Sequence, residues 1–176
     1  VDQTLSRDLM MYLHTRGGSR VEGKYLVNIL GNQFNVLLFD FAGSGMSEGD
    51  HITLGIKETD DAEEVIRAVK KRVNVKRVIL WGRSMGAVTS ILLAERLKGN
   101  ISGLVLDSPF SSFKEMIFDV ISSRVRLPGC FIGLLLSMVN NKIKNKIGVD
   151  LTTLKPIDSI QNIEVPTFFI VSADDT

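Results

Sequence analysis

Five short, unbroken runs of apolar residues recur along this chain, and amphipathic stretches separate most of them. The runs lie at residues 9–13, 35–39, 78–81, 104–106 and 168–171. An alternating pattern would indicate a strand with one face in solvent, whereas unbroken apolarity indicates burial on both faces, as in a parallel sheet. The sequence therefore predicts an α/β protein built on a mostly parallel sheet.

The stretches between the runs have the periodicity of helices. Residues 54–72 place apolar side chains at three- and four-residue spacing and charged side chains on the opposite face. Residues 85–98 repeat this pattern, with Gly99 as the predicted C-terminal cap, and residues 20–30 predict a shorter helix. The alternation of strands and helices predicts the crossover connections that join parallel strands.

The composition excludes several classes of function and of fold for this chain. The chain has 176 residues, of which 44% are hydrophobic, and its formal net charge is +1. These values suit one compact domain over residues 1–176 and give no argument for a nucleic-acid partner. The single cysteine, Cys130, excludes an internal disulfide framework and favours a reducing, cytoplasmic compartment. With two distant histidines besides, His14 and His51, the sequence predicts no metal site and no cofactor.

A long stretch without a strand pattern, residues 110–160, separates the last two apolar runs. It contains an apolar segment at 130–139, and residues 120–149 carry five lysines or arginines and no acidic residue. One interpretation is an ordinary helical insertion whose charges face water. The other is a lid over residues 111–160 that lines an acyl pocket and makes peripheral contact with an anionic membrane surface.

The clearest chemical signal is the pattern G-x-S-x-G at residues 82–86. A buried-strand pattern precedes it and an amphipathic helix pattern follows it, which is the context of a nucleophile elbow. The glycines leave room where strand and helix nearly touch, and the helix N-terminus directs free N–H groups at the serine. Ser84 is therefore predicted to be a nucleophile; the alternative is an ordinary helix N-cap, which serine also favours.

Further segments make the chain resemble the α/β-hydrolase superfamily, most closely its serine aminopeptidase-like and monoacylglycerol-lipase-like serine hydrolases. Besides the elbow, the resemblance rests on residues 13–18, 39–49, 106–110 and 165–170. It implies a three-layer fold with a mostly parallel sheet and a helical lid inserted after the family's sixth strand. It also implies a chain truncated at both ends, since the first apolar run corresponds to the family's third strand.

The same resemblance implies roles for individual residues. Ser84 is the nucleophile, and the backbone N–H groups of Met85 and Arg16 form the oxyanion hole. His14 and Thr15 lie beside the substrate. Thr15 stands where the family has a glycine, and we expect it to change the shape of that loop.

The acid and the base of the implied triad follow the serine along the chain, near the C-terminal end of the fold. The acid corresponds to Asp175, with Asp174 and Asp107 as alternatives. In this fold the base is a histidine that follows the acid, and no histidine follows the elbow here. His14 and His51 both precede the elbow and are poor substitutes, so the resemblance implies a histidine beyond the given residues.

The resulting expectation is a serine hydrolase that cleaves a small carboxylic ester or thioester with a lipid-like acyl group. Peptide or amide hydrolysis stays open because the same triad serves both, and a non-catalytic binding protein with this fold is the third interpretation. Two near-matches to nucleotide-binding loops are rejected. Residues 18–25 end in Tyr25 instead of the Ser or Thr that binds Mg²⁺, and residues 43–49 place Glu48 where the dinucleotide pattern needs a glycine.

Overall fold

A computed structural model describes residues 8–123 and 129–172 of the chain. Within that part, five strands form one sheet: β1 (Asp8–Leu13), β2 (Asn35–Leu38), β3 (Arg77–Arg83), β4 (Gly103–Asp107) and β5 (Thr167–Ile170). Six α-helices accompany them: α1 (Lys24–Leu30), α2 (Ile56–Arg72), α3 (Met85–Arg96), α4 (Phe113–Ser122), α5 (Gly129–Ile147) and α6 (Pro156–Ile160). Short 3₁₀ turns lie at Arg20–Gly23 and Leu151–Thr153.

The five strands are parallel and correspond to the five apolar runs. Their order in the sheet is β2-β1-β3-β4-β5. Met11 of β1, which lies between β2 and β3, pairs with Leu37 on one side and with Leu80 on the other. The predicted α/β class with a parallel sheet is therefore confirmed.

All three predicted helices differ from the structure in one respect, and the strand ends differ from the apolar runs by up to two residues. Residues 20–30 form a 3₁₀ turn followed by α1, because the Ser19 side chain accepts a hydrogen bond from the Val21 N–H and begins a tight turn. The second helix begins at Ile56, not at residue 54, because Leu54 and Gly55 have positive φ angles of 59° and 125°. The third helix ends at Arg96, two residues earlier than predicted.

Helices cover both faces of the sheet, which gives the predicted three layers. On one face, α2 and α3 pack against alternate strand residues to form the main core. Its buried strand members are Leu9, Met11, Leu13, Val78, Leu80, Leu104 and Leu106. On the other face, the first 3₁₀ turn packs against β1, where Gly23 lies against the Tyr12 ring.

The chain reverses its winding direction between β1 and β3. The connection through α1 leads from β1 to β2 on one side, and α2 then carries the chain back past β1 to β3 on the other side. In open parallel sheets, ligands bind in the crevice at the carboxyl ends of two such strands. Residues 14–18 follow β1 and Ser84 follows β3, so both segments lie at this crevice.

The connection between β4 and β5 carries α4, α5, the second 3₁₀ turn and α6. The inner face of α5 packs on a second apolar cluster, and its members there are Leu136, Ile143 and Ile147. Asn140 fixes this helix, since its Nδ2 donates to Asp150 Oδ1 (2.9 Å) and its Oδ1 accepts from the Leu151 N–H (2.9 Å). No helix in the described part of the chain is both long enough and apolar enough to cross a bilayer.

Candidate active site

The turn between β3 and α3 holds Ser84 in a strained backbone conformation. Its φ is 49° and its ψ is −114°, a region that a residue with a side chain rarely occupies. The Ser84 N–H donates to the carbonyl oxygen of Asp107 at the end of β4 (2.7 Å), which fixes the turn to the neighbouring strand. The neighbouring strand therefore holds Ser84 in this strained conformation.

The two glycines of the pattern are required by close backbone contacts. A Cβ atom on Gly82 would overlap the carbonyl group of Gly86. A Cβ atom on Gly86 would overlap the carbonyl group of Leu13 at the end of β1. These contacts bring the first turn of α3 against the end of β1, so the serine and the loop after β1 lie side by side.

Ser84 occupies the N-cap position of α3 without acting as its cap. Its side chain is half-buried and makes no capping hydrogen bond. Within the described residues, its Oγ has no hydrogen-bond partner, and no acceptor binds the Met85 N–H that begins the helix. Capping therefore does not explain the serine at this position.

His14 is enclosed in the protein and both of its ring nitrogens are engaged. The ring is fully buried, and its Nε2 accepts a hydrogen bond from the Phe41 N–H (3.1 Å). The Nδ1 lies 2.8 Å from the carbonyl oxygen of Thr15 and donates to it, which assigns the neutral tautomer with the proton on Nδ1. This histidine connects the loop after β1 to the loop after β2 and offers no free nitrogen to Ser84.

The carboxylate of Glu22 holds the loop at residues 14–18. It accepts hydrogen bonds from the Thr15 N–H (3.1 Å) and the Thr15 hydroxyl (2.6 Å), and from the Tyr12 hydroxyl (3.3 Å). Burial and the Glu22 charge raise the pKa of Tyr12 above its usual value. The Thr15 N–H is thus occupied, whereas the Arg16 N–H has no acceptor among the described residues.

Sequence reasoning did not single out Glu22. In the sequence, Glu22 appears only as one residue within the rejected P-loop match at residues 18–25. The structure gives a reason for that rejection, because the Glu22 carboxylate lies directly against Gly18. The hydroxyl of Thr15, which replaces the family's glycine, is what this carboxylate binds.

Asp40 organises the glycine-containing loop after β2. Its carboxylate accepts from the Arg20 N–H (2.6 Å), the Arg20 guanidinium (2.8 Å) and the Met46 N–H (3.1 Å). Burial alone would raise the pKa of Asp40, but these hydrogen bonds and the Arg20 charge outweigh it and hold that pKa below its usual value. The carboxylate also fills the space beside Gly45, so a pyrophosphate would meet a negative charge there.

Asp107, one alternative for the triad acid, is already paired. Its carboxylate lies 3.4 Å from the Arg83 Nε and accepts a hydrogen bond from the Ser108 hydroxyl (3.1 Å). Asp174 and Asp175 lie outside the described residues. In the part of the chain that the structure covers, no three His, Cys, Asp or Glu side chains converge as metal ligands would.

Comparison with known families and curated proteins gives consistent matches. The family model described as serine aminopeptidase, S33, matches residues 10–156. The Bacillus subtilis protein YqkD is 32% identical over 154 residues, which are 86% of this chain and 50% of YqkD. The lysophosphatidylserine lipase ABHD12 of Danio rerio is 35% identical over 118 residues, 62% of this chain and 30% of that protein. The chain therefore spans half or less of the length of these relatives.

Solved structures show the same fold. An esterase from Pyrococcus furiosus, Pf2001, superposes with a TM-score of 0.69 at 23% identity, covering 93% of this chain and 61% of the esterase. A monoacylglycerol lipase from Paleococcus ferrophilus superposes with a TM-score of 0.58 at 22% identity, covering 96% of this chain and 74% of the lipase. At this level of identity the likeness establishes the fold.

Proposed function

This chain belongs to the serine aminopeptidase S33 family of the α/β-hydrolase superfamily, and from that premise we propose that it forms the nucleophile-bearing part of a serine hydrolase. The observation that carries the proposal is the backbone of Ser84, held at positive φ between a strand and a helix. Strain of this kind persists where the surroundings impose it and is concentrated at active sites. In this conformation the hydroxyl makes no capping hydrogen bond with the helix that the residue begins.

The proposed reaction is acyl transfer through Ser84. Its Oγ attacks the acyl carbon while a base takes the hydroxyl proton, and the leaving alcohol or thiol departs with that proton. Water then attacks the acyl-enzyme and restores the serine. The N–H groups of Met85 and Arg16 hold the oxyanion; both lack an acceptor among the described residues, and the close contact between α3 and β1 supports this pairing.

We assign the acid to Asp175 and the base to a histidine beyond residue 176. The engagement of both His14 nitrogens supports this assignment, since that residue cannot accept the serine proton without losing its bond to Phe41. The ion pair of Asp107 with Arg83 argues against Asp107 as the acid. His14 and Thr15 are proposed to shape the substrate side of the oxyanion loop.

The proposed substrate is a carboxylic ester or thioester with a lipid-like acyl group, and the working compartment is the cytoplasm. The names of the relatives point the same way, since one is a lysophosphatidylserine lipase and a structural neighbour is a monoacylglycerol lipase. We propose residues 111–160 as the lid over this substrate. The description of the matching family favours a second candidate, hydrolysis of an aminoacyl bond.

Turnover by the full-length protein tests the proposal. We expect the protein to hydrolyse p-nitrophenyl esters faster than aminoacyl p-nitroanilides. Among the esters, those with longer acyl chains should react faster. Ser84→Ala should lower kcat by at least about a thousandfold, because the nucleophile is lost. His51→Gln should leave kcat unchanged. A folded wild-type protein that hydrolyses neither class would contradict the enzyme assignment, and preference for the anilides would favour the peptidase.

A further inference from the structure

The outer face of α5 is apolar along its first half although it faces solvent. Phe131, Leu134 and Met138 follow each other at three- and four-residue spacing and therefore share one side of the helix. Their exposed fractions are 56%, 59% and 62%. The inner face is accounted for separately, because Ile132 and Asn140 are buried against the body of the protein.

The same outer face becomes basic along its second half. Lys142 continues the stripe one turn after Met138, and Lys146 follows at a further turn. Both are exposed, and within residues 8–123 and 129–172 neither has a carboxylate at ion-pair distance. Lys144 is different, since it pairs with Asp150 (3.1 Å). No acidic residue occurs in α5.

The exposed side chains of α5 thus form one outer surface. Its members are Phe131, Leu134, Met138, Lys142 and Lys146, with large apolar groups at one end and lysines at the other. Phe118 of α4 is also 45% exposed, but it lies next to Gly129. Because Gly129 stands two residues before Phe131, it lies on the opposite side of the helix, and Phe118 is not part of this outer surface.

We propose that this outer surface docks the protein on an anionic phospholipid bilayer. The apolar side chains enter the boundary between headgroups and acyl chains, which removes them from water. The lysines bind lipid phosphates, and their aliphatic stems extend from the apolar layer to the headgroups. The charge decides the occupant. Two lysines of this surface have no ion-pair partner in the described part of the chain, α5 itself contributes no acid, and Asp50 borders a cavity only at the Lys146 end. Such a surface complements an anionic bilayer better than it complements a second copy of itself.

Vesicle co-sedimentation of the full-length protein tests the proposal without any substrate. We expect wild type to bind vesicles of phosphatidylcholine with phosphatidylglycerol, and to bind phosphatidylcholine alone at least several-fold more weakly. The double variant Leu134→Glu with Met138→Glu should weaken binding about tenfold or more, because two buried apolar groups are lost. Lys142→Gln with Lys146→Gln, which leaves the apolar stripe intact, should weaken binding about fivefold per lysine and reduce its salt dependence.

A matched control uses exposed apolar residues outside this surface. Val27 and Ile29 of α1 are 45% and 64% exposed, so Val27→Glu with Ile29→Glu adds the same charge elsewhere and should bind as wild type does. Equal binding of wild type to both kinds of vesicle, or variants of α5 that bind like wild type, would overturn the proposal. A change of oligomeric state in the Leu134 and Met138 variant without any vesicle binding by wild type would identify a second copy as the occupant and also overturn it. Because no turnover is measured, failure here is distinct from failure of the Ser84 assignment.

Discussion

The backbone conformation of Ser84 lowers the free energy of unfolding of the protein, whereas a glycine at this position would not. A residue held in a sparsely populated backbone region costs about 1–3 kcal/mol, and its surroundings must compensate. Here they do so through the Ser84 N–H bond to Asp107 and through the contacts of Gly82 and Gly86. A serine at such a position agrees with the chemical role that we propose for its hydroxyl.

The variant Ser84→Gly should therefore stabilise the protein while it removes the proposed nucleophile. Glycine adopts a positive φ without strain, so we expect the free energy of unfolding to rise by about 1 kcal/mol in urea denaturation. A comparison is available at Ser108, which has a φ of 50° and whose hydroxyl bonds Asp107. Ser108→Gly loses that bond and should gain less. A loss of stability in Ser84→Gly would contradict the strain account.

The glycine after the serine should tolerate no side chain. Gly86→Ala places a Cβ against the Leu13 carbonyl, and because two backbone segments would have to separate, we expect a loss of about 3 kcal/mol or more in the free energy of unfolding. Gly133→Ala in α5 is the control, because nothing lies within 4 Å of the added Cβ. Alanine there should stabilise the helix by up to about 1 kcal/mol. Similar effects of the two changes in urea denaturation would argue against the close approach of α3 and β1.

At the scale of elements, a hydrogen-bonded junction at Asp150 helps to fix the position of α5 beside its apolar packing. The Asp150 carboxylate accepts from the Thr152 hydroxyl (2.6 Å), from Asn140 (2.9 Å) and from Lys144 (3.1 Å). These bonds, that of Thr152 foremost, hold the pKa of Asp150 well below its usual value. The carboxylate therefore stabilises the junction only while it is ionised.

This junction should weaken in acid. Because the pKa of Asp150 is lower in the folded than in the unfolded state, its contribution is complete above the unfolded value, about 4, and is lost as the pH falls toward the lowered folded value. Hydrogen-exchange protection of the Leu151 amide, which donates to Asn140, should fall over that range. Asp150→Asn should show reduced protection already at neutral pH and little further loss in acid. Asp119→Asn on α4 is the control, and equal protection in Asp150→Asn and wild type at neutral pH would exclude this role.

The strands and the elbow could be predicted from the sequence because each depends on local pattern. Unbroken apolar runs arise from burial on both faces of a parallel sheet, and all five strands lie where those runs are. The elbow needs glycines at fixed positions around Ser84, which a short pattern records. The three-layer architecture was predicted from the resemblance to a known family.

Contacts between distant segments could not be predicted in this way. The bond of Thr15 to Glu22 depends on the turn between them, and the bond of His14 to Phe41 joins loops after two different strands. The direction of the apolar residues of α5 was also open, because a segment that is apolar nearly all round does not indicate which side packs on the body. The structure buries Ile132 and exposes Leu134.

At the scale of the whole molecule, the sheet order explains why the candidate site lies where it does. The winding direction changes between β1 and β3, and in open parallel sheets ligands bind at the carboxyl ends of such a strand pair. The loop held by Glu22 follows β1, and Ser84 follows β3. The N-terminus of α3 begins directly after Ser84, and its free N–H groups favour negative charge there. Fold and proposed chemistry thus converge on one place.

The most direct test is to locate the adduct of a fluorophosphonate on the folded, full-length protein by peptide mass spectrometry. We expect one adduct, on Ser84, because a fluorophosphonate reacts with a serine that a base activates and an oxyanion hole assists. Ser84→Ala should abolish the adduct. Ser108→Ala, which removes a second serine at positive φ, should leave it unchanged. An adduct on a different serine, or no adduct on folded wild-type protein, would contradict the proposed role of Ser84 as the nucleophile.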